Sequence, residues 1–391
     1  MNSITRTTRA GVTALSPYAR PEAGPAPLRH ASTPFVQRQD LPPPRASEAG
    51  APASSLSSLA PRAATFGPAA VPLPLDRTLA AKHYPAMARY LEVLEAAYAS
   101  NQPAPIRDKE FLPDLIAGLN AADPRRKLEY CRLAALDAES VCESSLVDRL
   151  SEGLGKGSAW CTLLDEAGGH RTALGIQCSS TSRDASLVLV DSLAIDVEDP
   201  FEQERWLGIT QALEKALQAK LGGTAPVRLR LTVAGSDAQR SGEGCAIFAI
   251  SAARKLASEP AIARLHGKVL DAIRHGMGSP GFGVLPPHLL PPAFFKHANS
   301  GRDIRDYLAA RSGAAQAAAQ YQGPRLVVDP IVNKKGQSLL QRHASHLVER
   351  PASVGDKMIR FSNSYEAKRI ELVRVALAQL TAAKEGMRSS I

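Results

Sequence analysis

Residues 227 to 256 constrain the fold more than any other stretch of the chain. Val227, Leu229, Leu231 and Val233 alternate with polar residues, the period of a strand with one buried face. Further on, Ile247, Phe248, Ile250, Ala253 and Leu256 recur at helical spacing, and Arg254 and Lys255 fall in the last turn, where cations suit the helix dipole. Gly242 and Gly244 supply the tight turn between them. The pattern predicts strand, turn and helix, with Cys245 in the helix's first turn. Unpaired backbone N–H groups and the positive end of the dipole favour a thiolate at such a position. A buried structural cysteine is the competing reading.

A second element bears on that choice. In the run HRTALGIQ, His170, Thr172, Leu174 and Ile176 share one face of a strand, and the next apolar run, LVLVD, ends at Asp191. Between them CSSTSRDAS has the composition of a turn. Pairing the runs as a hairpin with Leu174 opposite Leu187 also sets His170 opposite Asp191, and cross-strand partners share a face. An aspartate there orients the imidazole and leaves its other nitrogen to deprotonate a thiol. Asp196 and Glu198 lie nearby as the alternative acids.

The order His, acid, Cys, with Gln239 six positions before Cys245, resembles the cysteine-protease clan of the ubiquitin-like-protein proteases. More narrowly, DAQRSGEGCAIFAISAARKL, followed by LPPAFFKH and VNKKGQSLLQRH, resembles the YopJ family of type III secreted effectors. The resemblance implies an α+β fold: a ubiquitin-like-protease-type cysteine peptidase core with a mixed sheet, and flanking helices, at about 80–155 and 290–391, forming a regulatory region. It further implies acetyl transfer from acetyl-CoA, an oxyanion role for Gln239, activation by host inositol hexakisphosphate, and autoacetylation at Lys296.

Composition narrows the partners. The net charge of +9 favours anionic ligands, whether nucleic acid, acidic lipid or a polyphosphate. Aromatic residues make up 5% of the chain and do not interleave with the basic clusters, as base-stacking platforms require. Five cysteines without orderly spacing fit neither a disulfide framework nor a zinc site, so all five are expected reduced and no metal is expected. No apolar run approaches the length of a membrane span. Residues 1 to about 75 are rich in Pro, Ala, Ser and Arg and contain no lysine, a composition that predicts disorder. Under the family resemblance they form the export signal, and residues 76–391 form the catalytic domain. Asn2 stands where N-myristoylation needs Gly.

Elsewhere the periodicity predicts helices from Pro85, around Phe111 to Leu119, from Arg125 to Leu150, from Phe201 to Leu221, over ARLHGKVLDAIRHG, and from Tyr365 to Lys384. A Pro- and Gly-rich connection, PGFGVLPPHLLPP, precedes two basic clusters: Lys296 and His297 with Arg302, then Lys334 and Lys335 with Arg342 and His343. Either these are separate surface charges or they converge on one polyanion, with Arg126 contributing; Arg125, Arg126 and Lys127 also fit a solvated helix face. No Walker-type loop is present to hold a nucleoside triphosphate.

The resulting expectation is a secreted acyltransferase acting on host proteins. His170, oriented by Asp191, deprotonates Cys245; Cys245 takes an acetyl group from acetyl-CoA and passes it to Lys, Ser or Thr, and Gln239 helps hold the oxyanion. A deubiquitinase-like or SUMO-specific protease would use the same triad. A non-catalytic basic binding protein is the reading from another class.

Overall fold

The computed structural model describes residues 77–195, 199–239, 244–277, 281–318, 328–351 and 358–389. The segment 1–75, the turn residue Gly242 and the alternative acids Asp196 and Glu198 lie outside them. All elements below belong to one unit, Pro74–Ile391.

In chain order the helices α1 (Arg77–His83), α2 (Pro85–Ala99) and α3 (Asp108–Ala122) precede strand β1 (Leu128–Leu133). Two short helices, α4 (Ala138–Cys142) and α5 (Ser145–Gly153), lead into strands β2 (Ala159–Glu166), β3 (Arg171–Cys178) and β4 (Asp184–Asp191). Helix α6 (Pro200–Leu221), strand β5 (Arg228–Gly235), helices α7 (Cys245–Leu256) and α8 (Pro260–Arg274), and strand β6 (Gly281–Val284) follow. The C-terminal part holds α9 (Gly301–Ala318), α10 (Leu339–Ala344), the hairpin β7 (Leu347–Pro351) with β8 (Met358–Ser362), and α11 (Ser364–Ser389).

Strands β1 to β6 lie side by side in chain order in one mixed sheet. The β2–β3–β4 centre is antiparallel, and β1, β5 and β6 join in parallel. Helices cover both faces, so the central strands read as nearly continuous apolar runs. Leu174, Leu187, Leu189, Leu231 and Val233 pack with Trp206, Leu213 and Leu217 of α6 on one face. Leu163, Ala173, Val188 and Ala234 pack with Ile247 and Ile250 of α7 on the other. Among the described residues no helix is long and apolar enough to cross a membrane.

The predicted helix over 125–150 is instead a 3-10 turn at Pro124–Arg126, strand β1, and two short helices. Lys127 takes a left-handed φ of 47°, which ends helical winding. The Asn120 carboxamide accepts from Leu128 N (2.9 Å) and donates to Leu128 O (2.7 Å), starting the chain as a strand. Pairing with β2 buries Leu128, Cys131 and Leu133, and that tertiary burial overrides the helical spacing. Strand β2 was not anticipated, and the Pro- and Gly-rich connection contains the edge strand β6.

The hairpin register also differs. Leu174 pairs with Leu189 and Ile176 with Leu187, two residues away from the expected alignment. A shift of two conserves the face of every side chain, so His170 and Asp191 still meet, as diagonal rather than direct neighbours.

Helix α11 is packed on the domain along its length, with Leu372, Val373, Ala376 and Leu377 fully buried. Its approach to α3 requires Gly118, where a Cβ would come within 2.5 Å of the Ala376 Cα. Arg369 Nε lies 2.9 Å from Asp108 Oδ2, and Tyr90 donates to the same carboxylate at 2.7 Å. That buried pair ties the last helix to the first helices of the domain.

Candidate active site

His170 precedes β3 by one residue and Asp191 ends β4, so the antiparallel pairing brings them together at one end of the sheet. Imidazole Nε2 lies 2.8 Å from Asp191 Oδ2 and 3.0 Å from Oδ1, with both side chains largely buried. The carboxylate is itself fixed by Leu193 N, which donates to Oδ1 at 2.8 Å. Burial works against the protonated ring, but the hydrogen bond and charge of Asp191, joined by Glu166, outweigh it and hold the imidazole above its ordinary range. Glu166 is buried too, and burial pushes its carboxyl up against the opposing pull of His170 and Arg205.

Cys245 is the first residue of α7, as the sequence pattern predicts, with Gly244 at the cap. Its buried Sγ donates to the carbonyl of Gly169 at 3.4 Å, which places it against the residue preceding His170. It also receives Nη1 of Arg171 at 3.5 Å. Arg171 donates to Gly169 O as well, and its Nε lies 2.7 Å from Asp165 Oδ1. The first turn of α7 thus brings Cys245 against the loop before β3, at the residue next to His170, while the end of β4 brings Asp191 to the His170 ring.

Gln239 is buried beyond the end of β5. Its backbone N–H donates to Ser192 O at 3.0 Å and its Oε1 accepts from Ser192 Oγ at 2.7 Å, next to Asp191 in the chain. Ser236 N donates to Asp191 O at 2.8 Å. Gly235 permits this close approach, since a Cβ there would meet Ile195 N at 2.5 Å. The strand end carrying the acid and the loop carrying Gln239 are thus stitched together.

The basic residues divide among three places. Lys296, His297, Arg342 and Arg126 belong to a partly buried cationic cluster completed by Arg254, Lys255 and Lys368. Burial, then the neighbouring cations Lys255 and Arg342, lowers the Lys296 ammonium's pKa. Burial, then Arg126, does the same to the Arg254 guanidinium. Fully enclosed His297 is driven well below the usual histidine range by burial and by Lys368, Lys296 and Arg342. Lys368, largely buried, is pushed down to about 8 by its burial, although Glu371 pairs with it at 2.6 Å.

His343 lies elsewhere. Its Nε2 is 3.3 Å from Asn299 O, and it lines an open cleft of about 750 Å³ with Arg302, Arg305, Arg360, Leu340 and Phe361. Asn299 N donates to Ala238 O at 3.0 Å, so the cleft begins beside Gln239. Lys334 and Lys335 are exposed on the turn before α10.

Sequence reasoning missed Arg171, Glu166 and Lys368. Arg171 alternates to the opposite face from His170, so no shared-face argument reaches it. Lys368 joins the cluster only through the tertiary packing of α11. Arg254 and Lys255 were visible, but as cations at a helix end.

A family model described as YopJ Serine/Threonine acetyltransferase matches residues 87–375. No curated protein matches the chain. Solved structures with this fold include AvrA delL154 with IP6 and CoA, 23% identical, with a TM-score of 0.53 over 75% of this chain and 98% of that one. HopZ1a in complex with IP6 and CoA is 16% identical, with a TM-score of 0.52 over 78% of this chain and 95% of that one. At these identities the likeness to the solved structures is one of fold.

Proposed function

The chain belongs to the YopJ serine/threonine acetyltransferase family, and on that premise we propose that it moves acetyl from acetyl-CoA to host-protein hydroxyl or lysine groups through Cys245. The observation that carries this reading is a thiol at the first turn of α7, against the loop that presents His170, whose ring is paired with Asp191. With Nε2–H donating to Asp191, proton transfer falls to Nδ1. His170 takes the Cys245 proton, Sγ attacks the thioester carbonyl, and CoA departs as a thiolate that recovers the proton. The acceptor O–H or N–H then attacks the acetyl-cysteine, with His170 as base and Sγ as leaving group. Gln239 and backbone N–H groups at the start of α7 hold the oxyanion in both halves.

Inositol hexakisphosphate is assigned to the cluster of Arg126, Arg254, Lys255, Lys296, His297, Arg342 and Lys368, extended by exposed Lys334 and Lys335. Like charges crowded under partial burial raise the free energy of the unliganded state, and a polyphosphate that binds only the ordered protein offsets that cost. The phosphorylated nucleotide end of CoA is assigned to the cleft of Arg302, Arg305, Arg360 and His343, whose position beside Gln239 directs the thioester toward Cys245. Lys296 is assigned as the autoacetylated lysine; burial and the neighbouring cations lower its pKa, in the direction of the neutral amine that acyl transfer requires. As a family effector the protein is delivered by type III secretion into a host cell, with residues 1–75 as the export segment.

Mass spectrometry after incubation with acetyl-CoA, with and without inositol hexakisphosphate, tests the reading. Acetyl on Cys245 at short times and on Lys296 or an acceptor protein later, dependent on the polyphosphate, is expected. Absence of any acetylated species, together with labelling of Cys245 by a ubiquitin or SUMO vinyl-sulfone probe, would replace it with the protease.

A further inference from the structure

We propose that Arg171 is a catalytic residue whose guanidinium carries the negative charge of the Cys245 sulfur during acyl transfer, held in place by Asp165 and Tyr130. The inference rests on Cys245 as the nucleophile. It begins from the sheet register. Asp165 of β2 is the direct cross-strand partner of Arg171 on β3, and Tyr130 of β1 lies on the next strand. All three alternate to the sheet face covered by α7, together with Leu163 and Ala173 of that core. Tyr130 Oη donates to Asp165 Oδ2 at 2.6 Å, Asp165 Oδ1 is 2.7 Å from Arg171 Nε, and Arg171 Nη1 reaches Sγ at 3.5 Å. Three adjacent strands thus build a chain of polar groups that ends on the sulfur.

Burying that chain is costly. Arg171 and Asp165 are more than nine-tenths buried, and desolvating an ion pair consumes most of its mutual attraction. A neutral donor would suffice if the task were only to satisfy Gly169 O. What a neutral donor cannot supply is a fixed positive charge beside a sulfur that gains and loses negative charge twice per turnover. While Cys245 is protonated, S–H donates to Gly169 O. Once the proton has left, that carbonyl repels the sulfur, and Arg171 is the partner whose attraction grows. Among the described residues, the other ionisable groups facing this corner are His170 from the loop before β3, with Asp191 and Glu166 behind it, and Tyr365 of α11, whose ring stacks on Phe248 near Gly244. Within that set Arg171 is the fixed cation.

The experiment compares two alkylating reagents on the full-length protein without CoA. Sγ displaces iodide from both iodoacetate and iodoacetamide, forming the same S–C bond, but only iodoacetate is anionic. Site-specific rates at Cys245 come from peptide mass spectrometry at about pH 9, above the ordinary imidazole range, and are repeated in His170→Gln because Asp191 and Glu166 hold this imidazole above that range. The iodoacetate-to-iodoacetamide ratio is expected to exceed that of a free cysteine peptide by about ten-fold or more, since a unit charge a few ångströms away acts through a low effective dielectric. It should fall to the peptide value in Arg171→Gln and in the charge-neutral Arg171→Gln/Asp165→Asn double variant, and return in Arg171→Lys. Acetyl transfer should follow the same order. A wild-type ratio no higher than the peptide's overturns the proposal without any variant being needed. So does an unchanged ratio in a double variant that melts as wild type does, which would leave Arg171 a structural brace. Because CoA is absent, either result is separable from failure of the acetyl-transfer reading, which is judged on acetylated Cys245.

Discussion

At the end of the sheet, charges are matched: His170 meets Asp191 at 2.8 Å and Arg171 meets Asp165 at 2.7 Å, each pair delivered by neighbouring strands. In the cationic cluster, charges are crowded: Arg254, Lys255, Lys296, Arg342 and Lys368 lower one another or are lowered by burial, with Glu371 as a nearby acid. The first arrangement sets each cation against an acid within the protein. The second carries a standing electrostatic cost that an anion would remove. On the proposed assignments, catalytic chemistry and its control are built on opposite principles within one domain.

The largest effect is expected at the nucleophile. Cys245→Ala should reduce acetyl transfer to background while leaving the melting temperature near wild type, because only a small buried side chain is trimmed. The other cysteines should be dispensable. Burial pushes the Cys161 and Cys178 thiols up to about 12 and also raises Cys142, so none of the three offers an accessible thiolate at neutral pH. Retained transfer in Cys245→Ala would dissolve the matched-charge site as a catalytic centre.

Next comes the acid. Asp191→Asn should lower turnover by about 10²-fold or more, since an amide neither fixes the tautomer nor stabilises imidazolium. The sign follows from the His170 shift: Asp191 and Glu166 raise the imidazole against the effect of burial, so losing Asp191 moves the acid limb of the pH–rate profile downward. Glu166→Gln should move the same limb in the same direction by less. Asp196→Asn or Glu198→Gln more damaging than Asp191→Asn would mean that another acid orients the ring.

The two regions also differ in how far the sequence exposes them. Cys245 and its helix follow from a strand and helix period in one continuous stretch. The His170–Asp191 pair survives even a misjudged register, because a two-residue shift keeps parity. Gln239 was placed by family resemblance alone, and its bond to Ser192 crosses between two loops that no periodicity links. The leucines of β1, separated by charges, fit both periods, and what decides for strand is the Asn120 clamp on Leu128. The cationic cluster was the least legible. It draws residues from the α3–β1 turn, α7, the loop after β6, α10 and α11, and a charge at a helix end carries no sign of which distant helix will pack beside it. His343, grouped with the polyphosphate residues in the sequence, instead lines the cleft of Arg302, Arg305 and Arg360.

A third variant sharpens the crowded side. Lys255→Glu/Lys368→Glu should weaken inositol hexakisphosphate binding by roughly 10²-fold in calorimetry, as two partly desolvated contacts turn repulsive. In the unliganded variant the relief of crowding among the cations is opposed by loss of the 2.6 Å Lys368–Glu371 pair, so its melting temperature should not rise above wild type. Lys334→Glu/Lys335→Glu should weaken binding by less, since solvent and salt screen exposed charges, and should leave the unliganded melting temperature nearly unchanged. If the exposed pair matters more, the ligand sits over the turn before α10 and not in the cluster.

The smallest effect is a proton. Lys368 in the unliganded protein titrates at about 8, below the ordinary lysine value, chiefly through burial. In the unfolded chain it remains protonated across the interval from 8 to its ordinary value, so the folded state binds fewer protons there and this group makes stability rise with pH in that window. A bound polyphosphate reverses the preference by favouring the ammonium. Binding near pH 8 should therefore take up a fraction of a proton, and affinity should decline by a few-fold as pH rises through 8 toward the ordinary lysine range. Calorimetry in two buffers of different ionisation enthalpy reads the proton directly. Proton uptake that disappears in Lys368→Met assigns it to this lysine, and equal heats in both buffers for wild type would mean that the polyphosphate never reaches the buried part of the cluster.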